Sequence, residues 1–531
     1  MHAVGRGLTP CCRPAIRSSP IMSDDTSHAL DGLRCLLINP ALFPTDLRGE
    51  SHARGKWKSE RAINFGLLVI ASHLAKHGAE VTVVDLEETP DGLVPALHAA
   101  TPHLVGIGNI SCYGLLSTLD VISACRAMDP SIRVVVGGQN AALSLPLFQR
   151  ASVQPDWLVA GSGEEAVLAI GRAVVDNVRL PPMAGVHGMT PGTEPASAPL
   201  SPAVAADRSA FLLYDLWPQW RAFFPLIEES RGCPFSCSFC ANEGVGGRNY
   251  LGKSPDVIVR EIERARALWG CSDEMPVVLM CANFGTHPAP TREFLTLMRA
   301  KRSQYRLLAA MRVDGRWAEY VALMGGVFDQ IHFGLESGSP TILGRMGKAH
   351  EPHRYLSMAE QAFKAFHDQK IHVGCNFILG FPGENGSTVT ETMSFLLKNR
   401  DNIDSLWGGA LIEYPGSPFA ARMDEYSASF GTRRRRVSDF CDRIGAYPID
   451  PSSTYTHEQM AQLGLHLMKL FNGADTFYEH YRWYPGPRPS PENDLAFYGR
   501  DEFYDLFLEE QDGRSLGYDP MLVRRPASVL G

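Results

Sequence analysis

The chain has 531 residues, with 50 Lys plus Arg against 58 Asp plus Glu and a formal charge of −8. That length calls for two or more folded units, and 45% hydrophobic with 20% charged residues is a globular composition, not a disordered or fibrous one. The acidity disfavours a nucleic-acid partner held through its phosphates, no apolar run approaches the roughly 18 residues of a membrane helix, and a secreted enzyme is disfavoured too.

Residues 1–30 are polar, broken by Pro and Gly, and carry no apolar core of the signal-peptide kind. They read as a loose tail in which Met22 offers an alternative start. The 12 cysteines are few for the length and mostly scattered, which points to a reducing cytoplasm and not to a disulfide scaffold.

Residues 31–175 alternate apolar runs with amphipathic stretches. Strands are expected at RCLLINP (34–40), EVTVVDL (80–86), HLVGIGNIS (103–111), IRVVVGG (132–138) and DWLVAG (156–161). Each is nearly continuous and rich in β-branched residues, as in strands covered on both faces. Helices are expected between them, one closing at Gly78 and one before Pro130. Five βα units in a row predict a doubly wound parallel sheet, which takes ligands at the carboxyl ends of its strands. The tips there are small or polar: Asn109, Ser111, Gly137, Gly138 and Gln139, then Gly161, Gly163 and Glu164. Gly161 to Ala166 fits a GxGxxA dinucleotide pattern, but follows the fifth strand instead of the first and is discounted.

The Gly-Gly after the fourth strand and the Gly-x-Gly-Glu after the fifth resemble the cobalamin-binding, Rossmann-like domain that precedes the barrel in one large radical enzyme family. The resemblance implies that those eight tip residues contact cobalamin. Many such domains carry Asp-x-His-x-x-Gly after the first strand, whose His ligates cobalt. Here Arg48 stands where that His would fall, so no histidine of this loop would be the ligand.

Residues 176–220, rich in Pro, Gly, Ser and Ala, read as a linker, and the LWPQW that closes it is expected to pack on a domain face. Next comes PLIEESRGCPFSCSFCANE, with Cys233, Cys237 and Cys240 in a C-x3-C-x2-C pattern. An odd number of closely spaced thiols cannot form a useful disulfide set, which leaves zinc or an iron–sulfur cluster. Structural zinc wants four ligands, and no fourth Cys or His lies close by; three cysteines on a [4Fe–4S] cluster leave one iron open.

This spacing after a first barrel strand resembles the radical S-adenosylmethionine (SAM) superfamily, whose open iron chelates the methionine end of SAM. The remainder of residues 221–415 alternates strand and helix patterns, giving six strands of a partial (β/α)6 barrel with its chemistry at the carboxyl-end rim. The resemblance implies further SAM contacts. Phe239 would offer its backbone to adenine, Glu336 and Ser337 would reach the ribose or amino group, and Ile378 and Gly380 would pack on adenine. Met280-Cys281-Ala282-Asn283 replaces the family's Gly-Gly-Glu, so the backbone there, Asn283 included, would hold the amino group. Arg312 or Arg345 would hold the carboxylate. The offsets in ILGFPGE differ by one from the family pattern, and no role is carried over to Glu384.

Other features carry less. Gly247 to Ser254 satisfies the P-loop expression without its strand–turn–helix context, and Ser254-Pro255 reads as a helix start. Arg433 to Arg436 reads as a solvated basic run, and His287, His332, His353 and His372 as structural histidines. Cys281 and Cys375 are potential hydrogen-atom donors, although buried free cysteine is common and inert. Residues 416–531 are expected to form a mostly helical extension that caps the barrel mouth.

The domain order resembles the cobalamin-dependent radical SAM enzymes. By that likeness the cofactors are a [4Fe–4S] cluster, SAM and cobalamin, and an electron donor such as flavodoxin or ferredoxin supplies the cluster. SAM is split to a 5′-deoxyadenosyl radical, and a methyl group passes from methylcobalamin to an unactivated carbon of a small specialised metabolite. A non-methylating rearrangement, cyclisation or oxidation is the alternative. A methylthiotransferase would need three more cluster cysteines, and Cys35, Cys112 and Cys125 are spaced like core residues. A cobalamin-binding sensor would not need Cys233, Cys237 and Cys240.

Overall fold

The structure is a computed structural model that describes residues 29–41, 63–191, 193, 196–241, 247–270, 276–301, 305–435 and 439–472. Arg48 and the part of the expected helical extension beyond residue 472 lie outside the described residues.

The first unit runs β1 (Arg34–Asn39), α1 (Phe65–Lys76), β2 (Glu80–Asp85), α2 (Leu93–Ala100), β3 (Leu104–Gly108), α3 (Leu115–Met128), β4 (Arg133–Gly137), α4 (Gln139–Leu143), α5 (Leu145–Arg150), β5 (Trp157–Val159), α6 (Glu164–Val175) and β6 (Val186–Gly188). The sheet order is β2-β1-β3-β4-β5-β6, and β1 to β5 are parallel. All five expected strands are present; β1, β3, β4 and β5 are buried on both faces as their apolar runs require, whereas the edge strand β2 leaves Glu80 and Thr82 exposed. The chain leaves β1 in opposite directions toward β2 and β3, so a switch point opens at the carboxyl ends of β1 and β3. At its entrance Asn64 caps α1 by accepting from the Leu67 amide at 3.2 Å, and Gly78 ends the helix region with φ 96°.

β6 arises inside the stretch read as a linker. It pairs antiparallel with β5, and further bridges join Ala184 to Ala198 and Gly161 to Ser201. Without this segment β5 would present a bare edge, and its backbone groups need partners. The aromatic end of the linker packs as expected. Trp217 is buried, and Trp220 and Tyr214 meet the Trp269 ring edge-on at 4.6 and 4.9 Å.

The second unit contains β7 (Leu226–Glu228), a hairpin of β8 (Ser230–Arg231) and β9 (Leu251–Gly252), α7 (Pro255–Leu268), β10 (Val277–Met280), α8 (Pro288–Ala300), β11 (Leu307–Arg312), α9 (Val321–Met324), β12 (Phe328–Glu336), α10 (Pro340–Arg345), α11 (Pro352–Asp368), β13 (His372–Leu379), α12 (Gly386–Lys398) and β14 (Ser405–Ala410). Six strands pair in sequential order β7-β10-β11-β12-β13-β14, all parallel, which is the expected partial barrel. Alternate residues separate core from lumen. Phe333 of β12 turns outward, with the Phe363 and Phe366 rings of α11 at 5.6 and 5.0 Å. Its neighbours His332 and Gly334 are only partly buried, on the opposite face.

The region after 410 adds β15 (Ile412–Glu413), α13 (Met423–Phe430), β16 (Arg433–Arg434), α14 (Asp439–Ile444), β17 (Tyr447–Asp450) and α15 (His457–Asn472). Besides the helices it holds a small antiparallel sheet, β15-β17-β16. α15 lies against β14, where the Asn472 amide bonds the Leu406 N–H and C=O at 2.7 and 2.8 Å, much as a neighbouring strand would. Among the described residues, no helix is long and apolar enough to cross a membrane.

Candidate active site at the barrel rim

The cysteine segment leaves β8 and returns through β9, so the hairpin pairing of Arg231 with Leu251 ties its two ends together. Cys233 and Cys237 are partly exposed and Cys240 is exposed. The loop is pinned from below. The Ser238 amide donates to Met346 O at 2.9 Å, its carbonyl accepts from the Phe419 amide at 2.8 Å, and the Cys240 amide donates to Cys237 O at 3.0 Å. Other cysteines differ in environment. Cys35, Cys112 and Cys125 are buried, and burial pushes their thiols up to about 12, 11 and 11. Three accessible thiols on a rim loop suit a cluster with an open corner, and the buried ones behave as core side chains.

Arg312, at the end of β11, reaches this loop. Its Nη1 donates to Cys237 Sγ at 3.4 Å, and its Nε and Nη2 donate to Asp314 at 2.8 Å each. Nη2 also donates to Lys348 O, and the guanidinium lies 3.9 Å from the Phe235 ring centre. The arginine is thereby committed to the cysteine loop more than to a free carboxylate. Arg345, the other candidate, donates to Gly383 O at 2.9 Å and stacks at 4.4 Å over Phe430.

Glu336 stands where β12 loses register with β13, and its φ of 73° is a left-handed conformation that costs energy for a side chain other than glycine. Its carboxylate accepts from Lys348 Nζ at 3.0 Å, and that ammonium is 6.0 Å from the Phe239 ring. Lys348 was not singled out from sequence, although it ends the very segment that contains Glu336. Ser337 is fully buried, with its hydroxyl on Thr392 Oγ1 at 3.0 Å and on the Ser339 amide. Asn283 accepts from the Arg312 amide at 2.8 Å and donates to Thr286 at 2.9 Å, so its side chain joins two rim loops. Ile378 is partly exposed in the lumen, and Gly380 turns with φ 80° below Met460 of α15. Gly380 N–H donates to Glu384, which is fully buried. Burial raises that carboxyl to about 7 against the opposing amide bonds from Gly380 and Phe381. Glu384 therefore braces the β13–α12 turn.

The rim of the first unit divides in the same way. Gly138 and Gln139 are exposed, Ile110 is 47% exposed, and Gly137, Ser111, Gly161 and Gly163 are partly exposed. An exposed isoleucine beside bare glycine backbone suits the broad face of a corrin. Asn109, by contrast, is fully buried. It donates to Thr118 Oγ1 at 2.8 Å and accepts from Asn140 Nδ2 at 2.9 Å, so it knits the tips together. Glu164 is buried and turned toward Arg231 of the second unit.

The two rims are joined through the C-terminal extension. Cys112 and Leu116 of the first unit pack on Ile412, Ile444 and Ala446, and the same extension packs Phe419 and Tyr426 on Phe381 at the barrel mouth. The Arg433 to Arg435 run holds this extension together. Arg434 pairs bidentately with Glu413 at 2.6 Å, Arg433 meets Asp450 at 3.6 Å, and Arg435 meets Asp450 and Glu458. The P-loop lookalike is strand β9 followed by Lys253, which is buried against Glu261 at 2.7 Å. A cavity of about 1200 Å³ beside Arg34, His103 and Arg133 lies at the amino ends of the first sheet, away from both rims. His332 lies against Gln330 at 2.6 Å, and His372 against Ser405 at 2.8 Å.

A doubly wound sheet and a partial barrel with a three-cysteine rim loop define an enzyme that joins a corrin site to an iron–sulfur site. Residues 227–396 match the family model of the Radical SAM superfamily, and residues 60–171 that of the B12 binding domain. The chain belongs to the cobalamin-dependent radical SAM enzymes, and its cofactors are a [4Fe–4S] cluster, SAM and cobalamin. It is 24% identical over 372 residues to a Pyrococcus horikoshii protein described as uncharacterized methyltransferase PH0819, covering 68% of this chain and 78% of that one. The radical SAM methyltransferase TsrM from Kitasatospora setae shares the fold with a TM-score of 0.60 at 17% identity, over 76% of this chain and 79% of that one. OxsB, a cobalamin-dependent SAM radical enzyme, shares it with a TM-score of 0.64 at 14% identity, over 90% and 71%.

Proposed function

We propose that the protein is a C-methyltransferase acting on an unactivated carbon of a small specialised metabolite in the cytoplasm. The observation that carries this reading is that the carboxyl-end rims of both units pack on the same C-terminal extension, Cys112 and Leu116 against Ile412 and Ile444, and Phe381 against Phe419. A methyl donor and a radical source must reach one substrate carbon, and two rims held on one extension suit that need. When bound, cobalamin supplies the methyl group, and SAM with the cluster supplies the radical chemistry.

The chain's own residues bind, orient and exclude water. Cys233, Cys237 and Cys240 would hold the cluster, with Arg312 Nη1 on the Cys237 sulfur. Glu336 and Lys348 present a carboxylate and an ammonium side by side, fitted to the amino and carboxylate groups of SAM. Phe239 and Ile378 supply apolar surface for adenine, and Ile110, Gly138 and Gln139 supply the corrin-facing surface. The exposure of Cys240 and Phe235 leaves the loop within reach of a one-electron donor such as flavodoxin or ferredoxin.

Anaerobic reconstitution with iron, sulfide and hydroxocobalamin, followed by reduced flavodoxin or another low-potential reductant that brings the cobalt to Co(I) and reduces the cluster, and then SAM carrying a CD3 methyl group, tests the reading. Methyl transfer predicts CD3-cobalamin and S-adenosylhomocysteine. Release of 5′-deoxyadenosine with neither of these would replace it with non-methylating radical chemistry.

A further inference from the structure

Glu164 was expected at a ligand site, and its side chain does something else. It is the first residue of α6, at the carboxyl tip of β5, and its carboxylate is 5% exposed. Oε1 lies 2.6 Å from Nη1 of Arg231, whose side chain is 16% exposed and which stands two residues before Cys233. The remaining edge of the guanidinium is taken by Glu228, with Nε to Oε1 at 2.7 Å and Nη2 to Oε2 at 3.1 Å. Glu228 Oε2 also accepts from the Ser209 hydroxyl of the linker segment. Three parts of the chain therefore meet at one guanidinium: the rim of the first sheet, the linker, and the root of the cysteine loop.

We propose that Glu164, Arg231 and Glu228 form a strut that sets the register of the cobalamin-binding rim against the cluster loop. Arg231 is thus a positioning residue for the reaction proposed above, and the proposal rests on that reading where it concerns catalysis. The apolar contacts between the units, such as Leu226 and Met280 on the first unit's core, attract without fixing direction, so the surfaces could slide. The bidentate bonds to Glu228 fix the guanidinium on the second unit, and the ion pair at 2.6 Å then holds Glu164, whose Oε1 has no aligned hydrogen-bond donor, at one point beside it. Two carboxylates on one arginine, nearly out of water, are a poor way to gain stability and a good way to specify one geometry. Arg231 also pairs through its backbone with Leu251, so a shift of Glu164 would be passed to both ends of the cysteine loop.

The test uses the full chain with Glu164→Ala, Glu164→Gln, Arg231→Gln and the double variant Glu164→Ala/Arg231→Gln. Glu164 lies outside the cysteine loop, so its variants keep the test alive should Arg231→Gln fail to fold. Hydrogen exchange on the cofactor-free chain is expected to quicken by about a hundredfold at residues 161–166 and 206–214 in Glu164→Ala, with partial recovery in Glu164→Gln. In the reconstituted protein, the distance distribution between reduced cluster and cob(II)alamin, read by pulsed electron paramagnetic resonance, is expected to broaden at unchanged iron and cobalamin content. The double variant should be no worse than the more severe single one. Wild-type exchange and distances in Glu164→Ala, or effects that simply add in the double variant, overturn the strut. A wild-type protein that takes up no cobalamin overturns the methyl-transfer reading instead, and the exchange measurement still decides the strut.

Discussion

Replacing Arg312 with lysine separates charge from direction at the cysteine loop. The guanidinium uses one N–H on Cys237 Sγ at 3.4 Å, two on Asp314 at 2.8 Å, and its flat face on Phe235 at 3.9 Å. An ammonium keeps the positive charge but cannot supply the fork and the stack together. Asp314 is 25% exposed, so water screens the pair, and its loss should cost only about 1 kcal/mol of stability. The N–H to sulfur bond matters more, because it strengthens as the cluster gains an electron and so raises the reduction potential. A difference of about 1 kcal/mol between the two redox states corresponds to about 40 mV for one electron. The Arg312→Lys cluster is therefore expected to have a midpoint lower by about 40 mV, measured by redox titration of the reconstituted enzyme followed by electron paramagnetic resonance. Arg312→Ala, which also removes the charge, should fall further. A potential that stays level or rises in Arg312→Lys, at full iron content, would refute the assignment.

Glu384→Gln should change the pH dependence of stability in a defined direction. Burial lifts the folded carboxyl to about 7, above its ordinary value of 4.5, so the folded chain holds a proton that the unfolded chain gives up. The contribution of Glu384 to stability therefore falls as pH rises from about 4.5 to 7 and is level above that, by up to about 3 kcal/mol at 1.4 kcal/mol per unit. Denaturant midpoints from pH 5 to 8 should show the variant gaining on the wild type up to about pH 7 and holding level above it; a wild type that gains on the variant over that range contradicts the placement. For Lys348, truncation to methionine strips Glu336 of its cation. SAM affinity, read by equilibrium binding to the reconstituted protein, should fall about tenfold or more and recover partly in Lys348→Arg, whereas wild-type affinity in Lys348→Met excludes a SAM-binding role.

The parts of this protein that were legible in its sequence are those whose cause is local. Strands covered on both faces must be continuously apolar, so VVV at 134–136 and LLIN at 36–39 announced themselves. Three thiols at fixed spacing carry their chemistry wherever they fold. What was hidden depends on partners far along the chain. β6 is a strand because β5 needs an edge covered, not because VHG is strand-like. Asn109 and Glu164 looked like ligand-facing tips because polar residues end strands at binding sites, yet Asn140 and Arg231 claim them. Ser337 lies where a SAM contact was expected, but its side chain is occupied by Thr392. Lys348 was overlooked because nothing in GRMGK distinguishes a buried ammonium from an exposed one until Glu336 is seen beside it.

The contacts between the rims are made by protein alone, and that has a consequence for assembly. Cys112 and Leu116 on the extension and Glu164 on Arg231 join the first unit to the rest, and the Phe419 N–H on Ser238 C=O joins the extension to the cysteine loop. One of these is apolar, one is an ion pair and one is a directed backbone hydrogen bond, and together they hold the first unit against the barrel at two separated places. The cost of orienting the halves is thus met during folding and not at cofactor loading, which is the condition under which bound groups gain most from preorganisation. If docking instead awaited cobalamin, loosening Glu164 would change cobalamin affinity as much as geometry. With the rims already held, the same change should leave cofactor content intact and disturb only the alignment of one rim with the other.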